Sequence, residues 1–317
     1  MTRKKFFLCF DPLKLTQTLS YTIKENLTHF LDRMGYQYTF KADDDYDEII
    51  AGSGEDLFAR YSQIRTDKPI TLLGCFNIDD LAIAPKNPDP FLLSQASYNY
   101  YHKASQILVP SKMEADYLTQ KGFTQPIFVF HVQPTFLEDK PVSEEERNSF
   151  RSFYQIPEDK SVFVSYGSYT DKDEFSAMES ISGVSPDKEF LFFGHNDRNF
   201  VTLKTLERLT KADNIRYLET MPEELYHSML LNIDALIFTQ RFLAFPNIIV
   251  DAIYNHIPII SYHGISLPAL VNEKTAMIPK NFKEFYETVM NIKTINHSQQ
   301  AYDSLMQALK SEPVILS

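Results

Sequence analysis

Short apolar runs of strand length alternate with amphipathic stretches of helix length along this chain, and the series runs through twice. That alternation constrains the fold most. Strands separated by helices run parallel, and a parallel sheet needs helices on both faces. In the first half "KKFFLCF" reads as a buried strand. A helix over Gln17–Met34 follows, with Leu19, Ile23, Leu27, Phe30 and Leu31 on one face and Gly35 as its stop. Next come "YQYTF", "DEIIAGS", a polar helix ending near Ile64 and the strand "PITLLGCF" (69–76). The half ends with a helix "LLSQASYNYYHKA", a strand "QILVPS" (106–111), a helix capped by Ser111 and stopped by Gly122, and a strand "PIFVFHV" (126–132).

"QPTFLEDKPVSEEERN" (133–148) interrupts the rhythm with two prolines and an acidic block. Strands then recur at "SVFVSYG", "EFLFFG", "NIRYLE", "DALIFT" and "IPIISY", with helical segments between them. The expected organisation is a Rossmann-like domain over 1–135, a hinge over 136–148 and a second Rossmann-like domain over 149–295. A C-terminal helix in 296–317 is expected to pack back on the first domain. The cleft between two such domains is the default site.

A length of 317 residues suits two domains, and 44% hydrophobic with 23% charged residues is ordinary globular composition. The formal charge of −11 argues against a nucleic-acid binder, which needs a basic face. "MTRKK" leads into an apolar run too short for a signal peptide, and no stretch reaches the roughly 18 apolar residues of a membrane span. Cys9 and Cys75 lie in apolar strands without metal or disulfide spacing, as reduced core residues do. The expected location is cytoplasmic, with the inner membrane face open as a peripheral site.

Over about 105–275 the chain resembles the GT-B glycosyltransferases, the large retaining group that includes bacterial glycolipid and polysaccharide enzymes. Five pieces stand in the family's order: "HKASQILVPSKMEADYLTQKGF", "VFVSYGSYTDKDEF", "FLFFGHND", "NIRYLETMPEELYHSMLLNIDALIFT" and "AFPNIIVDAIYNHIPIIS". The last is similar to the family's Gly-Phe-Pro turn, helix with a carboxylate, and Pro-Val-Ile strand. The resemblance implies an α/β GT-B fold with two Rossmann-like domains facing across a cleft. It also implies transfer of a hexose from a UDP-linked donor, without cofactor or metal. The implied acceptor is an envelope glycolipid, polysaccharide or glycoprotein.

Such transfer requires the leaving diphosphate to be neutralised and the sugar oriented. In the family one carboxylate holds the sugar, a second holds the ribose eight residues later, and helix N-terminal N–H groups meet the diphosphate. Here Leu243 stands at the first position and Asp251 at the second. Ala244, Phe245, Pro246 and Asn247 fill the turn and helix start; Pro246 lacks an N–H, which leaves Asn247 and Ile248 as the phosphate donors. Gly167 is followed by Ser168 where the family favours Arg, and Lys172 is the candidate diphosphate clamp or else a solvated loop lysine. Arg241 is a candidate to compensate for Leu243, and Asn77, Asp79 and Asp80 are the polar groups offered for an acceptor.

"ADDDYDE" (42–48) reads as an acidic loop rather than a metal site, and His195 as an ordinary loop histidine. Two functional readings stay open: an active transferase with altered donor contacts, and a degenerate GT-B protein serving a partner glycosyltransferase or a homo-oligomer. A sugar-nucleotide epimerase is a third, for which the chain offers no placed acid–histidine set.

Overall fold

A computed structural model of the chain describes residues 4–11, 18–65, 67–74, 99–109, 112–129, 132, 134–135, 142–166, 179–182, 185–193, 204, 207, 211–218, 221–238, 247–261, 271–294 and 298–310. The chain divides into two compact units, one of Met1–Thr135 with Ala244–Asn247 and Ala308–Ser317, the other of Phe136–Leu243 with Ile248–Gln307.

The first unit holds six parallel strands in the order β2-β1-β3-β4-β5-β6. They are β1 (Lys5–Cys9), β2 (Gln37–Thr39), β3 (Glu48–Ala51), β4 (Ile70–Leu73), β5 (Gln106–Val109) and β6 (Ile127–Val129). Helices α1 (Thr18–Met34), α2 (Gly54–Arg60) and α3 (Lys112–Gln120) accompany them. The inner strands are buried nearly without interruption, as a sheet covered on both faces requires. Cys9 is a buried free thiol, and desolvation pushes its pKa up to about 12, which removes thiolate chemistry there. The acidic run is engaged locally: Asp44 takes the Thr39 hydroxyl at 2.5 Å, Asp45 pairs with Arg65 at 3.3 Å, and Asp47 accepts the N–H of Lys5 at 2.9 Å.

Chain order reverses between β1 and β3, and the two strand ends are sewn together there. Ser53 caps α2, accepting the N–H of Asp56 at 3.1 Å and donating to Asp56 Oδ2 at 2.7 Å. Asp56 Oδ1 accepts the N–H of Asp11 across 2.8 Å. Gly52 lies between these groups; a Cβ there would stand 2.2 Å from Phe10 Cε1 and 2.9 Å from Asp56 Oδ2. Phe10 is 2% exposed and has no room to retreat. Gly52→Ala is therefore expected to destabilise the first unit by roughly 1–3 kcal/mol, the usual cost of overpacking. An unchanged thermal midpoint would show that the junction is looser than its contacts.

The second unit is a five-stranded parallel sheet in the order β11-β10-β7-β8-β9. Its strands are β7 (Ser161–Tyr166), β8 (Lys188–Phe193), β9 (Ile215–Leu218), β10 (Ala235–Phe238) and β11 (Ile259–Ser261). Its helices are α4 (Glu144–Phe153), α5 (Tyr226–Asn232), α6 (Asn247–Tyr254), α7 (Phe282–Met290) and α8 (Ser298–Lys310), with Asn247 at the head of α6 and the last three residues of α8 grouped with the first unit. Phe163 and Phe190 stack at 5.3 Å in a core completed by Phe192, Ile237, Ile260, Phe285 and Val289.

Helix α4 takes in Glu144–Asn148, which the sequence reads as linker. Ser143 accepts the N–H of Glu146 at 3.1 Å, and Glu144, Glu145 and Glu146 fill the first turn. The acidic block is thus a capped helix start, favoured by the helix dipole. α4 then locks onto α5: the Ser228 hydroxyl donates to Arg147 O at 2.9 Å and accepts the N–H of Phe150 at 3.0 Å.

Candidate functional site

In a parallel sheet of this kind, ligands bind outside the carboxyl ends of the strands where the strand order reverses. In the second unit the chain starts at β7, adds β8 and β9 on one side, then returns to place β10 on the other side of β7. The switch point is therefore between β7 and β10, which pair through Ala235↔Phe163 and Leu236↔Val164. From β10 the chain proceeds to α6, the segment that the sequence resemblance assigns to the donor.

Helix α6 departs from an ordinary surface helix. Ile248, Ile249, Val250, Asp251, Ala252 and Ile253 are all buried, so the helix has no solvated stripe. Its C-terminus closes with the Ile257 N–H on Ala252 O at 2.8 Å and the His256 N–H on Ile253 O at 3.1 Å. His256 adopts the left-handed conformation (φ 57°) that usually selects glycine there, and its ring stacks on Tyr302 at 4.4 Å. That contact compensates the backbone and ties α8 to α6.

Asp251 is the one carboxylate of α6, and it is 0% exposed. An ionised carboxylate in an apolar helix is costly unless hydrogen bonds stabilise it. Tyr226 supplies one, donating its hydroxyl to Asp251 Oδ2 across 2.7 Å. Tyr226 opens α5, and the right-handed crossovers β9–α5–β10 and β10–α6–β11 place α5 and α6 on the same face of the sheet. Asp251 lies one helical turn in from Asn247, near the carboxyl end of β10.

Of the sequence candidates, Asn247, Ile248 and Asp251 come together on α6: Asn247 is half-buried at the first position and Ile248 is buried behind it. Gly167, Lys172, Arg241, Ala244, Phe245, Pro246, Asn77 and Asp79 lie outside the described residues, as do Leu243, Ser168, Asp80 and His195. Tyr226 is not among the residues that the sequence offers for the site. It sits in the "P-x-E-E-L" segment noted for its likeness to the family, but nothing in linear order links it to a carboxylate 25 positions on.

Among the described residues no three His, Cys, Asp or Glu side chains come together as a metal site, and no helix is long and apolar enough to cross a membrane. The amino ends of the strands are chemically different from the carboxyl ends. There, Glu189 takes Lys160 Nζ at 3.1 Å and Arg216 Nε at 2.6 Å, and Arg151 donates to the carbonyl of Pro157 at 2.8 Å. In the first unit Gln106 Nε2 reaches Glu48 Oε1 at 3.1 Å and Thr71 Oγ1 at 2.6 Å, and Thr71 also donates to Glu48. These networks tie neighbouring strands together.

No protein-family model and no curated protein matches this chain. Solved structures do. HepE of Anabaena in complex with UDP and glucose superposes with a TM-score of 0.63 at 13% identity, over 99% of this chain and 96% of that chain. A glycosyltransferase from Rickettsia africae ESF-5 gives 0.65 at 11% identity, over 97% and 94% of the two chains. Sucrose-phosphate synthase from Thermosynechococcus elongatus gives 0.61 at 11% identity, over 94% of this chain and 75% of that one. At such identities the likeness is one of architecture, and it spans both units: the chain has the α/β GT-B fold, built from two Rossmann-like parallel sheets.

Proposed function

We propose that this protein is a glycosyltransferase that moves a hexose from a UDP-linked donor to an acceptor hydroxyl on an envelope glycolipid, polysaccharide or glycoprotein. The observation that carries the reading is Asp251, a buried carboxylate alone in an apolar helix next to the switch point of the second unit. A residue that costs stability in such a place is a candidate for function. Asp251 accepts the ribose hydroxyls, the N–H groups of Asn247 and Ile248 meet the diphosphate, and Lys172 adds positive charge. Support comes from the fold and from the UDP bound to HepE. Arg241 is proposed for the sugar, where Leu243 replaces the family's carboxylate.

The test is a panel of nucleotide sugars and plain nucleotides, read as melting temperature and as released nucleotide. A donor at a hundred times its Kd adds about 2.7 kcal/mol of stability. Stabilisation by one nucleotide, with sugar released or transferred, supports the proposal; no stabilisation by any of them overturns it. Leu243 and Ser168 favour a second reading, a nucleotide-binding partner of an active transferase. Binding without release or transfer would select that one.

A further inference from the structure

Two stretches of the first unit meet on its surface and differ in charge from the rest of the chain. Residues 57–65 run through α2 into the turn after it, and 99–106 lead into β5. In a chain with 42 acidic residues and a net charge of −11, neither stretch contains an Asp or a Glu. They carry Arg60, Arg65, His102 and Lys103 instead. Aromatic rings join them: Tyr100 lies edge-on to Phe58 at 5.8 Å and to Tyr61 at 6.4 Å. Lys103 Nζ stands over Tyr61 at 4.5 Å and over Tyr100 at 5.1 Å, held by both rings. Arg60 turns inward over the Phe7 ring and Arg65 pairs with Asp45. Among the described residues no carboxylate pairs with Lys103, so it is the uncompensated charge of the patch.

Phe58 is 67% exposed. A single exposed ring is ordinary, but this one is joined to two tyrosines and an unpaired ammonium. Five of the six residues 58–63 are exposed, so the ring projects from the surface rather than lining a groove for a peptide. A projecting phenyl, phenols beside it and a cation match the boundary layer of a bilayer. The phenyl enters the acyl edge, the phenols stay at headgroup level, and the ammonium meets a lipid phosphate. We infer that this patch docks the protein on an anionic phospholipid surface. The docking belongs to the first unit alone, and it stands whether or not the second unit binds a nucleotide.

The test is co-sedimentation of the full chain, at low ionic strength, with two kinds of vesicle. One is phosphatidylcholine alone, the other phosphatidylcholine mixed with phosphatidylglycerol. The wild type is expected to sediment with the anionic vesicles and to be released by salt. Lys103→Glu should weaken that partition at least about fivefold, the share of one cation near a charged surface. Phe58→Ala should weaken it roughly tenfold through the lost apolar contact. Both positions are exposed, so the melting temperature should stay unchanged. Lys283→Glu makes the same charge change on α7, where the lysine is 83% exposed, and should leave the partition within about twofold. Equal losses from Lys103→Glu and Lys283→Glu would reduce the effect to net charge and overturn the patch. A wild type that ignores anionic vesicles overturns the docking outright. If it instead dimerises in analytical ultracentrifugation and Phe58→Ala abolishes the dimer, the patch belongs to a second copy of this chain.

Discussion

Glu189→Ala is expected to lower the stability of the second unit by about 3–5 kcal/mol, the usual cost of breaking a buried ion pair from one side. Glu189 is 1% exposed at the amino end of β8. Its carboxylate holds Lys160 from the strand entrance beside it and Arg216 from β9, at 3.1 and 2.6 Å. Arg216 also donates to the carbonyl of Tyr154, just past the end of α4. Removing the anion leaves two cations facing one another with their shared acceptor gone. Both cations keep partial contact with water, which places the effect toward the lower end of that range. With no tryptophan in the chain, the measurement is the denaturant midpoint by circular dichroism, together with hydrogen-exchange protection of β7, β8 and β9. Glu189 lies at the end of the sheet opposite the proposed donor crevice. Nucleotide affinity, measured where the variant is still folded, is therefore expected to be unchanged. A loss below about 1 kcal/mol, the value of an exposed pair, would contradict the account of this network.

Asp251→Ala is expected to show the opposite pattern. Two ribose hydroxyls on one charged acceptor contribute about 1.5–3 kcal/mol each, so their loss should weaken nucleotide binding at least a hundredfold. The folded state should change little. The substitution removes a buried carboxylate from an apolar helix and replaces it with the best helix former. Calorimetric titration and a melting curve on the same sample separate the two quantities. If stability collapses while affinity per folded molecule is retained, Asp251 is a packing residue and the donor assignment fails. Glu189 and Asp251 are both buried carboxylates of one small sheet domain; Glu189 is held by two cations and Asp251 by a tyrosine hydroxyl, at opposite ends of the strands.

Much of the architecture was legible because parallel strands bury both faces and leave continuous apolar runs. "KKFFLCF", "SVFVSYG" and "EFLFFG" match β1, β7 and β8 to within one residue at each end. Helix α4 was hidden because Pro134, Pro141 and an acidic block also describe a linker; only the Ser143–Glu146 cap distinguishes a helix start from a charged loop. Gly52 stands at the end of the run "DEIIAGS" in sequence, and what requires a glycine there is the Phe10 ring, brought over by the pairing of β1 with β3. At the candidate site Asp251 was visible through its spacing within a family-like motif. Its partner Tyr226 was not, because the bond joins two helices separated by a strand and no periodicity encodes such a contact. The amino-end network was invisible for the same reason: Lys160, Glu189 and Arg216 meet only once three strands are in register.

On the proposed reading a nucleotide diphosphate sits at the start of α6, at the carboxyl edge of the second unit's sheet. Hydrogen exchange of the wild-type protein with and without saturating UDP tests it most directly. The first N–H groups of a helix have no intrahelical partner, so the amides of Asn247 and Ile248 should slow strongly when a phosphate accepts them. The amino ends of β7, β8 and β9 should not change. Unaltered exchange at Asn247 and Ile248, or protection confined to the sheet of the first unit, would contradict this reading.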